Sequence, residues 1–145
     1  MPVTIEKTFR FDAGHRCLGF KNAKESTLHG HTWRLRLVIE TARELDAFKT
    51  IFDTNDLARI VKPLVDRFDH AFVVWSEDPL ADRLVALAKD GGFEEKLLCV
   101  DFNPTVEGLV EHFFTVVKAQ LPPMQAVLKR ADLDATATLH ATYWE

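Results

Sequence analysis

Apolar and polar side chains alternate along two segments in the first forty residues of the chain. The apolar positions of these segments are Phe9, Phe11, Ala13, Leu35, Leu37 and Ile39. Charged residues stand between them, among them Arg10, Arg34 and Arg36. A period of two residues is typical of a β-strand with one buried face. The pattern therefore predicts two strands, which would lie side by side in a hairpin.

Farther along the chain, the apolar spacing becomes that of amphipathic helices. The helices are predicted over residues 56–68, from Asp78-Pro79 to Gly91-Gly92, and from Asn103-Pro104-Thr105 to Pro122-Pro123. Residues 41–52 are interpreted as a loop, residues 98–102 as a short strand and residues 126–144 as a β-rich tail. This order predicts an α+β protein with an antiparallel sheet and helices on one face.

The composition is that of one globular domain, which we expect to span residues 1–145. The chain is 47% hydrophobic and 28% charged, and its formal net charge is −4 without a cluster of basic residues. We therefore expect neither nucleic acid nor a membrane as a partner. The amino end shows no apolar leader, and Cys17 and Cys99 have no paired spacing. These features predict a cytoplasmic protein with reduced thiols.

Three of the six histidines stand at the ends of the two predicted strands. His29 and His31 are two residues apart, so on a strand both imidazoles leave the same face. His15 ends the first alternating segment and would join them if the strands form a hairpin. Three histidines with an open fourth position are the ligand set of a catalytic zinc ion. The sequence therefore predicts a zinc site on His15, His29 and His31.

Four short motifs, taken in order along the chain, resemble the 6-pyruvoyltetrahydropterin synthase and 6-carboxytetrahydropterin synthase family. They are Phe11-Asp12-Ala13-Gly14-His15-Arg16, Leu28-His29-Gly30-His31, Asp69-His70-Ala71 and Pro104-Thr105-Val106-Glu107. The resemblance implies a T-fold, in which a four-stranded antiparallel sheet carries helices on its outer face. Three subunits would close a β-barrel, and two trimers would stack into a homohexamer.

The resemblance also implies a zinc-dependent lyase that acts on 7,8-dihydroneopterin triphosphate or a similar pterin at an interface between subunits. In the family, an Asp-His pair relays protons, and Asp69-His70 matches that pair. A solvated histidine after a helix is the alternative interpretation of His70. The cysteine that serves as base in queuosine-pathway members is replaced here by Glu25, four residues before His29.

Glu25 leaves two reactions and one non-catalytic interpretation open. A carboxylate can act as the base, and relatives with this Glu cleave the side chain to give 6-hydroxymethyldihydropterin for folate synthesis. Glu25 could equally be a solvated loop residue in a T-fold protein that binds a pterin or purine without catalysis. Cys17, two residues after His15, is a substitute base, a fourth zinc ligand or a packing residue.

The segments that would bind the pterin also depart from the family. The Glu that holds the aminopyrimidine edge is expected eight residues before Tyr143, where this chain has Ala135 followed by Thr136. Asp134 would substitute only if a bulge turned it toward the pocket. The resemblance places Thr105 beside the pterin. Glu107 could join it there, although a carboxylate in the first turn of a helix is also favoured by the helix dipole.

Overall fold

The computed structural model describes residues 2–41, 44–122 and 126–145. Positions 42 and 43 of the predicted loop, and Pro123 at the predicted end of the third helix, lie outside these residues. The elements, in chain order, are β1 (Thr4–His15), β2 (His29–Thr41), α1 (Thr54–Phe68), β3 (Ala71–Trp75), α2 (Ala81–Gly91), β4 (Leu97–Val100), α3 (Val106–Gln120), β5 (Ala126–Asp134) and β6 (His140–Trp144). Two 3₁₀ turns, Ala23–Ser26 and Glu94–Lys96, precede β2 and β4.

The described strands form one sheet in the order β4-β3-β1-β2-β5-β6. Antiparallel pairing joins β1 to β2, β2 to β5 and β5 to β6. These four strands are the antiparallel unit that the resemblance implies. However, β3 pairs with β1, and β4 with β3, in parallel. The α+β class is confirmed, and the sheet has six strands of mixed direction instead of the four antiparallel strands expected.

β3 is the strand that the sequence pattern does not predict. Its residues, Ala71–Trp75, are an unbroken apolar run. Val73 and Val74 point to opposite faces of the strand, yet both are almost fully buried. A strand that is covered on both faces shows no period of two, so an alternating pattern could not reveal it.

The predicted hairpin is present, and its register sets the position of the candidate site. Phe11 lies opposite Trp33, Ala13 opposite His31, and His15 opposite His29. Because both strands are regular here, the three histidines share one face at the end of the hairpin.

The core lies between that face of the sheet and helices α1 and α3. It unites Leu35 and Leu37 of β2 with Val61 of α1 and Phe113 of α3, and all four are fully buried. The start of α3 is fixed by the Thr105 hydroxyl, which accepts a hydrogen bond from the Gly108 backbone N–H at 3.0 Å. This cap places Pro104 and Thr105 at the end of the sheet where the histidines lie.

The opposite face of the antiparallel strands carries ion pairs. Arg36 Nη1 lies 3.4 Å from Asp132 Oδ2, and Arg36 Nη2 lies 3.6 Å from Asp134 Oδ2. Arg130 Nε also donates to Asp132 Oδ2, at 3.2 Å. Among the helices of the described residues, none has the length and apolar character needed to cross a membrane.

Candidate metal centre and active site

Three imidazoles converge at the end of the β1–β2 hairpin. One ring nitrogen from each of His15, His29 and His31 lies within 4.8 Å of the other two. The ring centroids are 4.5 to 5.2 Å apart. The fold therefore brings together the three side chains that the sequence singles out as metal ligands.

The hydrogen bonds of two of these rings leave a lone pair available. His15 Nδ1 lies 2.7 Å from the Pro104 carbonyl oxygen, and His29 Nδ1 lies 2.9 Å from the Thr27 carbonyl oxygen. Because a carbonyl only accepts, each Nδ1 is the donor and each Nε2 carries the lone pair. This is the arrangement found in histidines that bind a metal.

His15 Nε2 supplies the test of whether a metal ion fits. His15 is 4% exposed, and its Nε2 is buried without a hydrogen-bond partner among the described residues. An unpaired buried nitrogen is costly and calls for an ion or water that completes it. A tetrahedral zinc ion with three imidazole ligands fits this donor set.

The charge state of the histidines agrees with that fit. Burial lowers the pKa of His15 to about 4; the bond to Pro104 opposes this shift, and the neighbouring His29 and His31 add to it. Burial likewise lowers the pKa of His31. Both rings are therefore neutral at physiological pH, which is the form that binds a metal.

Trp33 supports the rings from within the core, a role that sequence analysis did not assign to it. It is 1% exposed, and its ring meets those of His15 and His31 edge-on at centroid distances of 5.0 and 5.1 Å. Its Nε1 donates to the Ala13 carbonyl oxygen at 3.1 Å. The position of Trp33, two residues after His31 on the same face of β2, was the available signal.

A pocket of about 190 Å³ lies beside the histidines and includes Glu25 in its wall. Its lining consists of His15, Cys17, Phe20, Glu25, His31, Thr105, Val106, Glu107, Ala135, Thr136 and Leu139. Glu25 is half-buried, and its charge acts on the pKa of His31. The carboxylate is therefore close to the histidine cluster.

The turn that carries Glu25 is tied to the end of β1. The Cys17 backbone N–H donates to the Glu25 carbonyl oxygen at 2.8 Å. Arg16 donates from Nη1 to the Ser26 carbonyl oxygen and from Nε to Asp78 Oδ2, both at 2.6 Å. These contacts join the turn, β1 and the segment before α2. Sequence analysis named Arg16 only within the first motif and Asp78 only at the start of the second helix, and it gave neither a role at the site.

Cys17 packs against the histidine cluster, beside the hydrogen bond between His15 and Pro104. Its Sγ lies 3.4 Å from His15 Nδ1 and 3.5 Å from the Pro104 carbonyl oxygen. The thiol thus contacts Nδ1 of His15, which is already hydrogen-bonded to Pro104, and does not contact Nε2. Burial, together with the negative charges of Glu25 and Glu107, raises the pKa of Cys17 to about 12. The buried thiol therefore packs against His15 and Pro104 on the side of the ring away from Nε2.

Asp69 and His70 contact each other, but neither lines the pocket that contains Glu25. His70 Nδ1 is 3.0 Å from Asp69 Oδ2, and Asp69 Oδ1 accepts the backbone N–H of Asp12 at 2.9 Å. His70 lines an open cleft of about 480 Å³ that also contains Gly14 and Gly30. His31 is common to the cleft and to the pocket of Glu25. Within one chain, His70 and Glu25 therefore line different cavities.

Three of the four residues predicted to bind the pterin line the pocket, and the fourth does not. Thr105, Glu107 and Thr136 line the pocket, together with Ala135. Asp134 does not line it, because β5 is regular at that point and its side chain joins the ion pair with Arg36 on the opposite face. The register shift in β5 lies near Val38 of its partner strand instead. The bulge that Asp134 would need is therefore absent at that position.

Comparison with known proteins assigns the chain to a family. The sequence profile described as 6-pyruvoyl tetrahydropterin synthase matches residues 4–145. The chain belongs to this family. It is 30% identical, over 165 aligned positions, to 6-carboxy-5,6,7,8-tetrahydropterin synthase of Aquifex aeolicus (strain VF5), with 100% of this chain and 99% of the relative covered.

Solved structures of other proteins have the same fold as this chain. An uncharacterized protein of Wolinella succinogenes has a TM-score of 0.84 at 19% identity, with 100% and 99% of the two chains covered. A variant of Plasmodium vivax 6-pyruvoyltetrahydropterin synthase, with a catalytic glutamate replaced by alanine, has a TM-score of 0.72 at 12% identity, with 100% and 98% covered. Family membership supports a synthase-like enzyme with a lyase-type reaction.

Proposed function

We propose that the protein is a zinc-dependent lyase acting on 7,8-dihydroneopterin triphosphate or a closely similar pterin. The observation that carries the proposal is the buried Nε2 of His15, which has no hydrogen-bond partner in the described part of the chain. It belongs to the histidine triad, beside a pocket that contains a carboxylate. His15, His29 and His31 would hold the ion. Bound there, zinc would act as a Lewis acid toward side-chain oxygens of the pterin.

Glu25 is the proposed base. It is the half-buried carboxylate of the pocket wall, whereas Glu107 is exposed at the start of α3. Glu25 would accept a proton from the substrate side chain. The hydrogen bonds from the Cys17 N–H to the Glu25 carbonyl oxygen and from Arg16 to the Ser26 carbonyl oxygen keep its turn in place. The P. vivax enzyme of similar fold likewise has a catalytic glutamate.

Asp69 and His70 are proposed to return a proton at the pocket of a neighbouring subunit. Asp69 accepts from His70 Nδ1, so the Nε2 of the imidazole remains available for proton transfer. Because His70 lines the open cleft, and neither Asp69 nor His70 lines the Glu25 pocket of its own chain, the pair would reach a pocket only across a subunit interface. This part of the proposal requires the protein to be an oligomer.

Recognition of the pterin is proposed to rest on Thr105, Glu107 and Thr136. These are polar groups of the pocket wall, and the methyl side chain of Ala135 beside them offers no hydrogen bond. Glu107 could accept from the amino edge of a pterin, in place of the carboxylate that Ala135 lacks. Asp134 is not included, because its carboxylate faces the other side of the sheet.

Cleavage of the substrate side chain to 6-hydroxymethyldihydropterin is the second candidate function. The specific observation in its favour is that the carboxylate of Glu25 lines the pocket beside the histidines, at the sequence position where queuosine-pathway members have their cysteine. The two reactions use the same base and the same zinc ligands, and they differ in the bond that is broken.

Product analysis tests the proposal and separates these reactions. Zinc-loaded protein is incubated with 7,8-dihydroneopterin triphosphate, and the pterin products are identified by chromatography and mass spectrometry. A 6-carboxy- or 6-pyruvoyl-tetrahydropterin supports the first reaction, and 6-hydroxymethyldihydropterin the second. The His31→Ala variant is the matched control and should form neither. Binding of the pterin without turnover by the zinc-loaded wild type would contradict both and favour a binding protein.

A further inference from the structure

The peptide between Asp69 and His70 is held from two sides. Its N–H, from His70, donates to the Asp12 carbonyl oxygen of β1 at 2.6 Å. Its carbonyl oxygen, from Asp69, accepts from Lys96 Nζ at 2.7 Å. His70 has a φ of 61°, in the left-handed region that non-glycine residues rarely adopt. The backbone at this point is therefore maintained by its contacts.

The imidazole of His70 depends on that backbone for its orientation. Its side chain is 77% exposed, so packing against neighbours does little to restrict its rotamer. The contact that orients it is the one from Nδ1 to Asp69 Oδ2, at 3.0 Å. A rotation of the peptide between Asp69 and His70 would move both members of the pair.

Lys96 fixes this peptide from the turn before β4. It is half-buried, and its Nζ donates to the Asp66 carbonyl oxygen at 2.9 Å as well as to that of Asp69. Both carbonyls belong to the last turn and the C-cap of α1. A lysine that hydrogen-bonds the last carbonyls of a helix is a common capping device. Here one of those carbonyls also belongs to the peptide that sets the Asp69–His70 geometry.

We propose that Lys96 is a positioning residue for the Asp69–His70 proton relay. The proposal rests on the proposed function, in which that pair transfers a proton. Lys96 lines neither the cleft of His70 nor the pocket of Glu25, so it acts through the peptide and not on the substrate. Its positive charge also contributes, after the Asp12 N–H and His70, to the lowered pKa of Asp69, against the opposing effect of burial.

The Lys96→Met variant tests the proposal. Without the Lys96 contact, the imidazole should lose its fixed orientation, which should lower kcat by about 10- to 100-fold. KM should change little, because Lys96 is outside the pocket. Lys96→Arg, which can still donate to both carbonyls, should recover most of the loss. The matched control is Lys62→Met, which removes an exposed lysine of α1 and should leave kcat unchanged.

A second measurement reports on His70 without activity. Long-range ¹H–¹⁵N NMR correlations, assigned with His70→Asn, should show the Nδ1–H tautomer in the wild type and in Lys96→Arg. They should show mixed tautomers in Lys96→Met, because the hydrogen bond to Asp69 sets the tautomer. If Lys96→Met does not fold, Lys96→Gln provides the same comparison.

The two readouts separate the failure of this proposal from that of the proposed function. An unchanged His70 tautomer in Lys96→Met would overturn the positioning role, whether or not kcat falls. An altered tautomer with an unchanged kcat would also overturn it, because the pair would then not need this geometry. If the wild type shows no turnover, the proposed function fails, and the tautomer alone decides whether Lys96 positions His70.

Discussion

His15 and His29 each hydrogen-bond a backbone carbonyl oxygen through Nδ1, which leaves Nε2 available to bind a metal. The carbonyls come from Pro104 before α3 and from Thr27 before β2. Thr27 stands only two residues before His29, whereas Pro104 lies 89 residues from His15 and is brought near it only by the packing of α3 on the sheet. The residues of the triad were therefore predictable, whereas the distant group that orients His15 was not.

Glu25 and Cys17 were both candidate bases on sequence grounds, and their surroundings differ. Glu25 is a carboxylate in the pocket wall, whereas Cys17 is a buried thiol with its pKa raised to about 12. We expect Glu25→Gln to lower turnover of dihydroneopterin triphosphate by about 100-fold or more, since it removes the base. Cys17→Ser should retain most of the activity.

The comparison is made at equal zinc content, measured for each variant before the assay. This control separates the loss of a base from the loss of the metal. The opposite pattern, an inactive Cys17→Ser and an active Glu25→Gln, would reverse the assignment.

At the scale of elements, strands with one exposed face were predictable and those covered on both faces were not. The alternation along β1 and β2 predicts the hairpin, and the segment Asn103-Pro104-Thr105 predicts where α3 begins, whereas α1 begins at Thr54, two residues before its predicted start. Alternation along β5 also indicates correctly that Asp134 points away from Ala135. β3 escapes prediction because its side chains are apolar on both faces.

The turn that carries Glu25 is connected to the remainder of the fold through Arg16 and Asp78. The two side chains are 15% and 0% exposed, and Asp78 Oδ1 also accepts the Leu80 N–H at 2.9 Å. Burial alone would raise the pKa of Asp78. The bonds from Arg16 and Leu80 and the guanidinium charge outweigh it and lower that pKa below its usual value.

Asp78→Asn should therefore lower the free energy of unfolding at pH 7 by about 3 kcal/mol, because it leaves the Arg16 charge without its partner. The wild-type carboxylate has a lower pKa in the folded than in the unfolded state. Its contribution is thus fully present above about pH 4 and is lost as the pH falls through the folded value. Urea unfolding at pH 7 and pH 3 should show that the difference between variant and wild type shrinks at pH 3.

Asp56→Asn is the control for this experiment. Asp56 pairs with Arg59, but their side chains are 56% and 75% exposed, so its loss should cost less than about 1 kcal/mol. An Asp78→Asn variant as stable as Asp56→Asn would show that the buried pair does not hold the turn in place.

At the scale of the whole molecule, the sheet ends in two strands with unpaired edges within the described residues, β4 and β6. Natural proteins pair or cover such edges. One face of the sheet is covered by α1 and α3, and the other carries ion pairs around Arg36 and Asp132. A closed barrel with the charged face inside would remove edges, and it would bring the Asp69–His70 pair of one chain toward the pocket of another.

We therefore expect a hexamer of about 99 kDa, built from six chains of 16.5 kDa. Size-exclusion chromatography with light scattering, at two protein concentrations that differ about tenfold, measures this mass directly. A monomer at both concentrations would contradict the interfacial site, because His70 could not then transfer a proton at the pocket of a neighbouring subunit.

The central claim, that His15, His29 and His31 form a zinc centre, is tested most directly by counting metal in the purified protein. Elemental analysis should find one zinc per chain in the wild type and in His140→Ala, which removes an exposed histidine outside the triad. His29→Ala and His31→Ala should each lose stoichiometric zinc, because a structural or catalytic zinc site needs at least three protein ligands. A wild type that contains no zinc and cannot be reloaded, or triad variants that keep it, would contradict the account.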